Sequence, residues 1–120
     1  MIRTWRIFLL LFSLVFDAAA QEPESPPVSP AIRSRTKAKR DYAIIVANET
    51  YSSLPQVRWG LDDGAAVYDY MRNTRGVSKW RIRYVKNASY YRLKSYMKKG
   101  RYNSSSRGTL WIYFAGHGYV

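Results

Sequence analysis

Two uncharged runs far apart in the chain restrict its fold more than any other feature. They are Tyr42–Ala47 (Tyr-Ala-Ile-Ile-Val-Ala) and residues 109–115 (Thr-Leu-Trp-Ile-Tyr-Phe-Ala). Each is too short for a helix and too continuously apolar for a strand with one wet face. Both therefore read as strands buried on two faces. Such strands need cover above and below, which points to a parallel sheet between helices. The intervening sequence fits. After a loop at 48–60, Asp62 or Asp63 can cap a helix over residues 63–74, with Val67, Tyr70, Met71 and Thr74 on one face and Gly76 as its stop. Residues 80–85 alternate apolar and basic, as in a strand near a sheet edge. Ser89 can cap a second helix over 90–99, with Tyr90, Leu93, Tyr96 and Met97 as its apolar stripe and Gly100 as its end. A Ser-rich loop at 103–107 leads to the last run. The order β-α-β-α-β predicts an α/β fold with parallel strands joined by right-handed crossovers, the first and third strands central and the second peripheral. Three strands make a partial sheet in three layers, whose third strand has an unpaired outer side. The expectation is a truncated chain, or one whose sheet another chain completes.

The segments before the fold read differently. Residues 1–20 have the pattern of a secretory signal: Arg3 and Arg6, an apolar stretch at 7–16, then Ala18, Ala19 and Ala20 for cleavage. Export is the expectation, and an uncleaved segment acting as a membrane anchor is the alternative. Residues 21–40 read as a linker, Pro/Ser-rich and then basic, and 41–120 as the domain. Lys and Arg number 20 against 8 acids, a formal net charge of +12. Such a balance permits contact with nucleic acid or an anionic membrane. Here the charges fall on predicted helix faces and loops, so they read as a solvated surface. No specific nucleic-acid partner is expected, and a membrane partner only if the N-terminal segment stays uncleaved. Sequons begin at Asn48, Asn87 and Asn103 and bear on glycosylation only in a eukaryotic secretory route. The chain has no cysteine, which excludes a thiol nucleophile or a Cys-based zinc site within it. No cofactor or metal is expected.

The single histidine, His117, lies between Gly116 and Gly118 at the end of the last run. Open α/β sheets place their chemistry at the carboxyl ends of such strands. Glycine flanks allow another chain to approach the ring. An imidazole serves as general base when a nucleophile lies within hydrogen-bond reach. Ser52, Ser53, Ser104, Ser105 and Ser106 lie in loops, and nothing marks any of them as a strained nucleophile turn.

An ordered set of motifs adds to this. The first strand Tyr42–Ala47 with Asn48, the Tyr51-Ser52-Ser53-Leu54-Pro55 loop, Leu61-Asp62-Asp63-Gly64-Ala65, and the run ending Tyr113-Phe114-Ala115-Gly116-His117-Gly118 stand in that order. Together they resemble the large-subunit half of caspase-like cysteine peptidases (family C14, caspases and metacaspases), and most closely the bacterial caspase-domain proteins. Asp62 departs from the family's usual asparagine, and Gly64 from its alanine. The resemblance implies a cysteine endopeptidase acting on protein or peptide substrates. It implies that His117 is the general base assisting a cysteine, and that the Gly118 backbone N–H is an oxyanion donor. It also implies that Asp63 caps the first helix and orients the substrate-side loop. The nucleophile would lie about fifty residues beyond the histidine. Without it the chain alone is expected to be inactive. A non-catalytic caspase-fold module acting in assembly or recognition is the alternative.

Overall fold

The computed structural model describes residues 37–118, together with Glu24 and residues 32–34. The expected signal segment, most of the expected linker, Tyr119 and Val120 lie outside the described residues. The elements are β1 (Tyr42–Ala47), α1 (Gly60–Asp69), β2 (Ile82–Lys86), α2 (Tyr90–Asn103) and β3 (Leu110–Ala115). The strands form one parallel sheet in the order β2-β1-β3. The expected α/β order and parallel pairing hold, with β1 central and β2 at an edge; the third strand, expected to be central, lies at the other edge of the described sheet.

Successive side chains of a strand point to opposite faces, and β1 uses this to build two cores. Ala43 and Ile45 pack with Met71, Val77 and Ile82, beneath Val67 and Tyr68 of α1. Tyr42, Ile44 and Val46 pack with Val85, beneath Leu93, Tyr96 and Met97 of α2. The helices therefore cover opposite faces, and the fold has three layers. Every residue of β1 is buried.

Several local expectations need correction. β3 is not buried on both faces: Ile112 is 55% and Phe114 42% exposed. Its Trp111 and Tyr113 pack under α1, but α2 lies over β1, meets β3 only at Leu110 and leaves Ile112 and Phe114 open. Nor does Asp62 or Asp63 cap α1. The helix starts earlier, at Gly60, behind a left-handed Trp59 with no side-chain cap. Glu49, eleven residues before it, supplies the missing acceptor by taking the Leu61 N–H at 3.2 Å. The α-helix also stops at Asp69, and residues 70–74 form a π turn. This brings Met71 into the core while Tyr70 faces solvent, and Thr74 turns its hydroxyl to the Ile32 carbonyl. Gly76, at φ 69°, ends the segment as expected. The described residues just before β1 are not a free tether: Ser34 and Ala38 donate backbone hydrogen bonds to the Asn73 and Arg75 carbonyls.

α2 runs on through Gly100 to Asn103, so Gly100 is not its stop. That glycine is a contact point, because a Cβ there would collide with the buried Ile44 side chain. Tyr90, placed in the apolar stripe by its spacing, is exposed. Gly100→Leu is expected to overpack this interface and destabilise the fold by about 1–3 kcal/mol, read as a lower urea midpoint at unchanged slope. Gly64 has a similar reason: a Cβ there would lie 2.6 Å from the Ala47 Cβ and 2.9 Å from the Tyr84 ring.

The amino-terminal edge of the sheet is held by Asp41. Its carboxylate accepts hydrogen bonds from the Thr109 N–H at 3.0 Å and the Trp111 Nε1–H at 2.9 Å, and Arg75 lies 3.8 Å away. Arg81 spans the same corner, donating to the carbonyls of Asp41, Arg40 and Asn103. Burial alone would raise the Asp41 pKa. The two hydrogen bonds and the Arg75 and Arg81 cations outweigh it and hold the carboxyl below its ordinary value of 3.8.

Candidate active site

The carboxyl ends of β1 and β3 meet through the Asn48 N–H, which donates to the Ala115 carbonyl at 2.8 Å. β1 then runs into the 48–59 loop, and β3 into Gly116 and His117. The two segments fold onto each other. The Tyr51 hydroxyl accepts the His117 backbone N–H at 2.9 Å, and the Tyr51 ring meets the imidazole edge-on at 4.9 Å. This approach requires glycine at 116, because a Cβ there would overlap the Tyr51 hydroxyl and press on Phe114 and Asn48.

The imidazole has one further anchor. Its Nε2 lies 2.8 Å from the Pro55 carbonyl oxygen. A carbonyl only accepts, so Nε2 carries the proton. In the neutral ring the lone pair is then on Nδ1. Among the described residues no hydrogen bond reaches Nδ1, and the side chain is exposed. The ring is thus held from one side with its basic nitrogen presented to solvent, as a general base needs to be.

The loop that carries Pro55 is pinned from β2. Asn87 adopts a left-handed conformation (φ 45°), and its Oδ1 accepts from the N–H groups of both Glu49 and Thr50, at 2.9 and 3.0 Å. Asn48 forms a reciprocal pair with Ala88 through Oδ1 and Nδ2. Two of the sequon asparagines are therefore structural, and Asn48, buried, has no space for a glycan on Nδ2. Asn87→Ala is expected to cost about 1–2 kcal/mol by removing two acceptor contacts and the short polar side chain that lets Asn, unlike Ala, sit readily in the left-handed region. Faster amide exchange at Glu49 and Thr50 in that variant checks the pinning. Asn87→Gly keeps the backbone freedom and isolates the side-chain part.

The remaining expected site residues lie apart from one another. Gly118 follows His117, exposed, with nothing within 4 Å of where a Cβ would stand. Asp63 lies in the first turn of α1, exposed, and makes no cap. Its charge is felt at Tyr113, whose pKa is raised first by burial and then by Asp63. Burial, then Asp62 and Glu49, likewise raises the Tyr84 pKa; its hydroxyl donates to the Leu61 carbonyl at 2.6 Å. None of the loop serines is bonded to His117: Ser52 faces Ser53, Ser104 donates to Arg101, and Ser105 accepts from Arg107. Tyr51 and the Pro55 carbonyl are the functional groups that residue-by-residue reading missed. The Tyr-x-x-Leu-Pro pattern was their only signal in the sequence, and it assigns neither of them a role toward His117. Among the described residues there is no group of three or more His, Asp or Glu that could hold a metal ion. No protein-family model, curated protein or solved structure matches the chain.

Proposed function

We propose that this chain is the histidine-bearing part of an exported, caspase-like cysteine endopeptidase, with His117 as its general base. One observation carries the reading: His117 is fixed through Nε2–H to the Pro55 carbonyl, 62 residues away in sequence, and no described residue hydrogen-bonds to Nδ1. A ring that only packed would not need an oriented lone pair.

The chemistry follows from that orientation. Nδ1 takes the proton of a cysteine thiol, and the thiolate attacks the peptide carbonyl. The carbonyl oxygen becomes an oxyanion, for which the Gly118 backbone N–H is the donor. The imidazolium then returns its proton to the departing amine, and water hydrolyses the thioester. The 120 residues contain no cysteine, so the thiol comes from further sequence or from a partner chain. The open β3 edge, with Ile112 and Phe114 exposed beside it, suits either source and equally suits a non-catalytic assembly module.

The coding sequence beyond codon 120 and a peptide-hydrolysis assay test the proposal together. A strand ending in cysteine about fifty residues past His117, with hydrolysis by the longer protein and none by these 120 residues, is the expected result. A stop at codon 120, with no cysteine-bearing partner restoring hydrolysis, leaves the assembly module instead.

A further inference from the structure

The charges of the folded domain are sorted between its two helical layers. α1 carries Asp62, Asp63 and Asp69, and the turn that continues it adds Arg72, next to Arg75. α2, on the opposite face of the sheet, carries Arg92, Lys94, Lys98, Lys99 and Arg101 and no acid. The remaining acids from residue 41 onward are Asp41, buried under the amino edge, and Glu49, at the start of α1. The molecule is therefore polar across its sheet, which a uniformly solvated basic surface would not be.

The outer surface of α2 has its own order. Leu93, Tyr96, Met97 and Gly100 turn toward the sheet. At 3.6 residues per turn the opposite crest consists of Tyr91, Ser95, Lys98 and Tyr102. Tyr91 is 81% and Tyr102 75% exposed. They stand three turns apart, roughly 16 Å along the axis, with Lys98 between them. Lys94 and Arg101 flank the crest on one side, and Arg92 and Lys99 on the other. Two exposed tyrosines set among five cations, on a helix without a carboxylate, give this crest an amphipathic, cationic character.

We infer that the α2 face is a docking surface for an anionic lipid bilayer. The helix crest is convex, so it forms no groove to enclose a nucleic-acid strand and its bases. A plane of mobile phosphate headgroups meets all five cations at once, while Tyr91 and Tyr102 sit at headgroup depth, where amphipathic rings are favoured. The α1 layer, which carries the exposed aspartates, then faces away from the membrane, which fixes the orientation. Among the described residues no helix is long and apolar enough to cross a membrane, so this contact lies on the surface. It is independent of the peptidase reading and of whether the N-terminal segment is cleaved.

Co-sedimentation of the full chain with vesicles tests it. Phosphatidylglycerol–phosphatidylcholine (3:7) vesicles are compared with pure phosphatidylcholine at 0.1 M NaCl. The variants are Lys94→Gln/Lys98→Gln/Arg101→Gln and Tyr91→Ala/Tyr102→Ala, all at exposed positions, with circular dichroism melts to show retained folding. The triple variant is expected to lose about a hundredfold in partitioning to the anionic vesicles, and the tyrosine pair severalfold. Binding to the neutral vesicles, to which residues 7–16 contribute equally in every variant, is expected to stay constant. Wild-type binding that ignores lipid charge, or a triple variant that binds like wild type, overturns the inference. So does single-stranded polyuridylate stripping the protein from the anionic vesicles at equal phosphate concentration, which assigns the face to nucleic acid.

Discussion

Asp41→Ala is expected to cost about 3 kcal/mol, a large part of the stability available to a domain of this size. The reason is position as much as bonding. One carboxylate satisfies the Thr109 backbone N–H and the Trp111 indole, both on the strand that reaches β1 from 68–70 residues away in sequence. Truncation leaves both donors at the partly buried amino end of β3 without this acceptor, and leaves Arg75 without its carboxylate. Arg75 is only partly buried and reaches water, which keeps the loss from being larger. For so small a domain this corresponds to a melting temperature lower by about 10–20 °C. A melt within 3 °C of wild type would contradict the account.

The same group sets an acid limit. Its pKa is lower in the fold than in the unfolded chain, so the unfolded chain binds the proton first as pH falls. The stabilisation is complete above the ordinary value of 3.8 and is lost progressively as pH drops through the depressed folded value. Asp41→Asn keeps the shape and removes the titration. Its stability is expected to start lower at pH 7 and to fall less steeply below pH 4 than that of wild type, as followed by urea midpoints across that range.

Where the sequence was legible, the governing interactions were local. The six residues of β1 fold as their composition predicts because β-branched and aromatic side chains suit a pleated strand and this uncharged run has no polar side chain apart from the Tyr42 hydroxyl to favour exposure. The β-α-β-α-β order followed from the same kind of pattern. The errors arose where a distant group decides. β3 has the most continuous apolar run and yet an exposed face, because burial depends on where α2 lies. The start of α1 is set by Glu49 rather than by the aspartates beside it. Gly100 looks like a helix stop but is the point where Ile44 enters the helix surface. For the site, the place of His117 at a strand end could be read from its flanks. Its Pro55 anchor could not, since a backbone carbonyl leaves no mark in residue identity.

His117→Ala, in the cysteine-bearing protein, is expected to lower kcat/KM for peptide hydrolysis by about 10³-fold or more, since it removes the proton acceptor for both the thiol and the departing amine. Tyr51→Ala tests something different. It deletes the hydroxyl that holds the His117 backbone N–H and the ring that stacks edge-on against the imidazole, while the Pro55 contact remains. A general base displaced by about 1 Å loses about 10²-fold, so a loss of about 10–100-fold is expected, mainly in kcat. Tyr51 is a positioning residue in this account and touches neither substrate nor thiol. Its effect must then pass through His117, and the double variant should be no slower than His117→Ala alone. Tyr51→Phe separates the two contributions, keeping the ring and losing only the acceptor for the backbone N–H, and should fall between wild type and Tyr51→Ala. A double variant clearly slower than His117→Ala would mean that Tyr51 meets the substrate directly, and the 48–59 loop would then be a wall of the binding cleft rather than a brace for the base.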